Sequence, residues 1–132
     1  MPSFTPQAIV DELYISDNDL ELCAKQFAWF KGQKDYWKDE YELEFAKAKV
    51  RAPSKYGANE HALLSVSERM VEIPWLPGNF ITLPEMVRLT EASFDLVSKR
   101  YNQLETHIGI LQSVNKNIMQ DYARAGANEW AH

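Results

Sequence analysis

Four cations and one aromatic ring fall within ten residues: Lys47, Lys49, Arg51, Lys55 and Tyr56, followed by Gly57. No acid interrupts the stretch from Phe45 to Asn59, although the chain as a whole carries a formal net charge of −5. Residue types in this pattern fit one chemistry well. Cations neutralise successive phosphates, a ring beside them offers a face on which a base can stack, and a glycine lets the backbone follow a strand. A plainer reading competes with this one, because Lys and Arg also complement the negative end of a helix dipole. That effect fades within the last turn, and Lys55 lies beyond Pro53, where the dipole gives it nothing. Segment by segment, residues 1–44 hold ten acids and four bases, residues 45–59 four bases alone, and residues 60–132 nine acids and six bases. The positive charge is gathered in one place.

No other constellation points to chemistry. His61, His107 and His132 are far apart and have no neighbouring ligands at metal spacing, so no metal or cofactor is expected. There is no glycine-rich phosphate loop and no nucleophile elbow. Cys23, the only cysteine, falls on an apolar helical seam, the setting of an inert buried thiol, and excludes an internal disulfide. The run Glu40, Glu42, Glu44 alternates around a helix and reads as a solvated face rather than a catalytic pair. The chain is therefore not expected to be an enzyme.

The elements that position the basic segment are helical, and the expected fold class is all-α. Thr5 and Pro6 mark a helix start, with Ile9, Val10 and Leu13 as a short apolar face. Ser16 to Asp19 offers N-caps for a second, longer helix from Leu20. Its seam runs Leu20, Cys23, Phe27, Phe30, Lys34, Trp37, Tyr41 and Ala48, with Lys34 laying its methylenes on neighbouring aromatics. A second row, Leu22, Trp29, Tyr36, Leu43 and Val50, recurs every seven residues on a flank. Either another subunit or a third helix of the same chain would cover it. Pro53 ends this helix, and Glu60 to Ile73 reads either as a short helix capped at Asn59 or as partly strand ending in MVEI. Pro74 to Leu83 reads as a turn-rich connection, closed by a capping box of Thr82 and Glu85.

The clearest pattern follows. Val87, Thr90, Phe94, Val97, Tyr101, Leu104, Ile108, Leu111, Asn115, Ile118 and Tyr122 keep the 3-4 alternation of a coiled coil, with Asn115 as a register device. One nearly continuous helix is expected from Pro84 to Ala125, about 60 Å long, weakest at Gly109 and capped by Gly126 before a loose tail. Two coiled-coil-like seams in a small chain point to a homo-oligomer, with Phe94, Val97, Tyr101, Leu104, Ile108, Leu111 and Ile118 as the interface. The expected organisation is one helical domain: helices with a basic end over residues 1–58, a variable connection over 59–83, an oligomerisation helix over 84–126 and a tail over 127–132.

The segment AKAKVRAPSKYG, the chain length and the final heptads VRLTEASFDLVSKRYNQLETHIGILQSVNKNI together resemble the UvsY-type recombination mediators of T4-like phages. The resemblance implies single-stranded DNA contacts at Lys47, Lys49, Arg51 and Lys55, a ring-like oligomer, and partnership with a recombinase and a single-strand-binding protein. It departs in the proline that follows the basic helix and in the proline-rich connection. With no apolar run near the ~20 residues of a membrane span and no signal-like start, an intracellular location in the host cytoplasm is expected, with no membrane partner. The alternative function is a helical interaction, assembly or inhibitor protein that binds no nucleic acid.

Overall fold

The computed structural model describes residues 5–130, and side-chain surroundings through Gly126. The element order is α1 (Pro6–Val50), α2 (Ala58–Glu68), β1 (Met70–Glu72), β2 (Phe80–Thr82) and α3 (Leu83–Trp130). The chain divides into two compact units, one made of residues up to Gln26 and from Ser98 onward, the other of Phe27–Val97. Both long helices contribute to each unit.

Helix α1 begins where the sequence places it: the Ala8 N–H donates to Thr5 Oγ1 at 3.1 Å, and the Ile9 N–H to the Thr5 carbonyl at 3.1 Å. The expected break at Ser16 to Asp19 does not occur. Ser16 instead falls in a heptad row with Ile9 and Cys23, and all three are buried in the first unit. No glycine or proline interrupts the run, so the capping residues stay helical. In the same unit Ile108 and Leu111 are buried, and His107 Nε2 lies 3.3 Å from Glu12 Oε1.

The second unit holds the core of Trp37, Val66, Val71, Ile73, Leu83 and Met86, with Tyr41, Phe45, Trp75 and Ile81 packed around it. Removing each large aliphatic side chain of this kind from water contributes about 1.5–3 kcal/mol. The Trp37 indole N–H donates to Gln33 Oε1 at 3.1 Å, so its one polar atom is satisfied. Phe30, Trp29 and Trp75 form a cluster of edge-on rings, with centroids 4.9 to 5.6 Å apart. The seam expected on α1 faces inward: Cys23, Trp37 and Ala48 are buried, and Leu20, Phe27, Phe30, Lys34 and Tyr41 are half-buried.

The all-α expectation needs correction in the connection. β1 and β2 pair antiparallel in the register Met70↔Thr82, Val71↔Ile81, Glu72↔Phe80, so the chain is mostly helical with one small two-stranded sheet. Each strand is three residues long, too short to show a period of two, yet Val71 is buried between exposed neighbours. The turn-rich stretch closes the hairpin: Gly78 takes φ 85°, its N–H donates to Glu72 Oε1 at 2.9 Å, and the Ile73 N–H donates to the Asn79 carbonyl at 2.9 Å. Residues 59–83 are thus an ordered helix and hairpin. α2 is capped by Gly57 rather than Asn59, because the left-handed φ of 71° there turns the chain into the helix.

Thr82 caps α3, its hydroxyl accepting from the Glu85 N–H at 3.3 Å, and the Leu83 N–H donates to the Arg69 carbonyl at 2.9 Å. α3 is unbroken at Gly109 and passes through Gly126 to Trp130, so Gly126 is not a C-cap. Its φ is not positive, and the flanking alanines carry the helix on. The expected loose tail is helical through Trp130, and Ala131 and His132 lie outside the described residues.

Candidate nucleic-acid interface

The basic segment is the end of α1 and the turn that joins it to α2. The final turn is closed by the Arg51 N–H on the Lys47 carbonyl at 3.1 Å and the Ala52 N–H on the Lys49 carbonyl at 3.4 Å. Pro53 and the Ser54 to Gly57 turn then reverse the chain, with the Tyr56 N–H donating to Ser54 Oγ at 3.1 Å. This leaves the Tyr56 side chain 96% exposed, beside Lys55.

The helical turn divides the cations between two hollows. Lys49 and Lys55 line a polar one of about 390 Å³ together with Gly57, Ala58, Asn59 and Glu60. The first turn of α2 forms its far wall, and the amides of a helix start carry partial positive charge. Glu60 brings a carboxylate to the same rim. Lys47 and Arg51 flank the second hollow, also about 390 Å³ and mainly apolar, with Ala46 and Val50. Two faces of one helix end therefore present different chemistry, one suited to an anion and the other to a greasy side chain.

The acids around the cluster are engaged elsewhere. Glu44 Oε1 lies 3.4 Å from Arg51 Nη2, while Glu44 Oε2 and Glu40 Oε2 lie 3.2 Å and 3.4 Å from Arg69 Nη1. Glu40 and Glu44 thus converge on one cation, contrary to the expectation of a purely solvated run. Four residues apart they share a helix face, and only Glu42 points to solvent. Sequence reasoning missed Arg69 because its partners lie 25 and 29 residues earlier in the chain. Lys47, Lys49 and Lys55 have no acidic partner among the described residues.

The residues expected at an oligomer interface lie against the chain's own packing. Ile108 and Leu111 are buried, and Phe94, Val97, Tyr101, Leu104 and Ile118 are half-buried. In the second unit Phe27 and Phe94 meet with centroids 5.1 Å apart, and the Lys34 ammonium sits 4.6 Å from the centroid of Phe94. Asn115 is half-buried on the same seam. What stays open is most of the other row of α1, for Leu22, Tyr36, Leu43 and Val50 are 59%, 53%, 50% and 85% exposed, while Trp29 packs edge-on against Trp75.

Among the described residues no group of His, Cys, Asp and Glu could hold a metal ion, and no helix is long and apolar enough to cross a membrane. Comparison with known proteins gives no match to a protein-family model, to a curated protein or to a solved structure.

Proposed function

We propose that this chain is a non-enzymatic accessory protein that binds single-stranded DNA through the end of α1 and the Ser54 to Gly57 turn. In this reading several copies assemble, and the assembly serves a recombinase in the manner of a recombination mediator. The observation that carries the proposal is that Lys47, Lys49 and Lys55 lack acidic partners in a chain of net charge −5, while Arg51 and Arg69 have theirs. Lys47 and Lys49 complement the dipole of the last turn, but Lys55 lies outside the helix and gains nothing from it. Phosphates would supply the missing charge, and Tyr56 would stack a base.

The test is fluorescence anisotropy of a labelled single strand at several salt concentrations. Three phosphate contacts predict a slope of log affinity against log salt of about −2 per copy, from roughly −0.7 per contact. Lys49→Glu with Lys55→Glu should remove most of the binding and flatten that slope. Equal affinity of this variant and the parent at the same salt would assign the cluster to helix termination alone. A protein-interaction role without nucleic acid would then be the better reading, and the open apolar row of α1 favours it.

A further inference from the structure

The row Tyr36, Leu43 and Val50 needs a covering that the fold does not provide. All three side chains are at least half exposed and recur every seven residues, a spacing that an apposed helix follows. We propose that a second copy of this chain covers the row, with the two α1 segments running antiparallel about a two-fold axis near Leu43.

The charges beside the row choose both the occupant and the direction. With 3.6 residues per turn, Asp35, Glu42 and Lys49 fall on one flank of the row and Glu40 and Lys47 on the other. A two-fold, antiparallel pairing sets like flanks against each other and exchanges their ends. Asp35, with Asp39 beside it, then faces Lys49 of the second copy, and Glu40, which holds Arg69 through one oxygen, turns the other toward Lys47. These contacts outweigh the approach of Glu42 to its own equivalent near the axis. A parallel pairing would instead set Asp35 against Glu40 and leave Glu42 against Lys47 as its one favourable pair. The acidic half and the basic half of one stripe are thus complementary to the same stripe turned around.

The shape agrees with the charge. An axis at Leu43 brings Tyr36 of the second copy, seven residues on one side, to the level of Val50, seven residues on the other. There the mainly apolar hollow of Ala46, Lys47, Val50 and Arg51 is open to receive its ring. The lysine and arginine stems beside Val50 line that seat with methylenes while their charges stay in water. Leu43 meets its own equivalent on the axis. Each substitution in such an interface acts twice, and a stripe of about two turns on either side of the axis gives a weak association, on the order of micromolar.

The inference builds on the proposed self-association and draws on Lys47 and Lys49, for which a DNA strand would compete, so it is tested without nucleic acid. Light scattering and sedimentation of the full chain between about 1 and 100 micromolar should show monomer passing to dimer. Leu43→Asp, at an exposed position, should weaken association by about a hundredfold with unchanged helical circular dichroism. Asp35→Lys with Asp39→Lys, and separately Lys49→Glu, should each associate far more weakly than the parent. An equimolar mixture of these two variants should dimerise again. A parent that remains monomeric overturns the proposal, as does a Leu43→Asp chain that still associates, which would move self-association to the α3 seam. Charge variants that pair as well alone as when mixed would overturn the antiparallel arrangement.

Discussion

Arg69 Nη1 lies 3.2 Å from Glu44 Oε2 and 3.4 Å from Glu40 Oε2, tying the residue that ends α2 to the acidic face of α1. Glu44 holds Arg51 with its other oxygen, 3.4 Å away. A single half-buried carboxylate therefore joins the start of the hairpin to the last turn of the basic helix. It also explains why the acids of α1 do not cancel the neighbouring lysines, since the two nearest are already committed to arginines.

Replacing Glu44 with Gln should cost stability and change the basic end. The pair is partly exposed, so solvent screening holds its contribution to about 0.5–1 kcal/mol. Urea denaturation followed by tryptophan fluorescence should show a lower midpoint with an unchanged slope. Arg51, released from its carboxylate, becomes a fourth unpaired cation, so affinity for a single strand should rise. A fall in affinity would show that Glu44 orders the binding turn rather than competing with it.

The long helices were legible because heptads are a strong, repeated pattern. The inward seam from Leu20 to Ala48 and the α3 seam from Val87 to Ile118 are buried or half-buried as their spacing implies. What was not legible depends on distant partners or on segments too short to have a period. Ser16 looks like a cap in sequence, and only the packing of Ile9, Ser16 and Cys23 in one row keeps it helical. The three-residue strands are fixed by the Gly78 turn and by the pairing of Val71 with Ile81, neither of which leaves a periodic trace. The division of the four cations between two hollows follows from helical geometry, but the hollow shared by Lys49, Lys55 and the start of α2 required the turn itself.

The Lys34 ammonium over Phe94 should be measurable as a coupling. Lys34 occupies a seam position where a leucine would ordinarily pack, and its charge faces the ring at 4.6 Å. A double-mutant cycle of Lys34→Met and Phe94→Leu should give an interaction energy of about 0.5–1 kcal/mol. Additive losses would mean that the lysine contributes only its methylenes.

Core truncation gives a larger effect. Met86 is fully buried against Leu83, Val66 and Trp37, so Met86→Ala should destabilise the chain by about 2–5 kcal/mol. Thermal unfolding should show a clearly lower midpoint. Tryptophan emission should also shift, since Trp37 shares that core.

Tyr101 should titrate above the usual tyrosine range. Its hydroxyl donates a hydrogen bond to the Glu105 carboxylate, whose negative charge also opposes the phenolate. The folded pKa lies above the unfolded one, so the stabilisation is present below the unfolded value near 10 and is lost as pH rises through the folded value. In an alkaline absorbance titration one tyrosine should ionise late, and Glu105→Gln should bring that step down. An unchanged titration in the variant would locate the cause elsewhere.

Two glycine substitutions should have opposite signs. Gly57 takes a φ of 71°, and a Cβ there would stand 3.2 Å from Glu60 Oε2, tighter than an ordinary contact. An L-residue pays about 1–2 kcal/mol to hold the left-handed conformation, so Gly57→Ala should destabilise by about that amount. Gly109 lies within α3 with nothing within 4 Å of the position its Cβ would take. Alanine there fits the helix and removes backbone freedom from the unfolded chain, so Gly109→Ala should stabilise by about 0.5–1 kcal/mol. Paired urea curves at one temperature measure both. The binding consequences separate as well. Gly57 aims the turn that carries Lys55 and Tyr56, so its alanine variant should weaken single-strand binding even at temperatures where it is fully folded, whereas the Gly109 variant should bind as the parent does. Loss of binding in both variants would place the nucleic-acid contacts outside the α1–α2 turn.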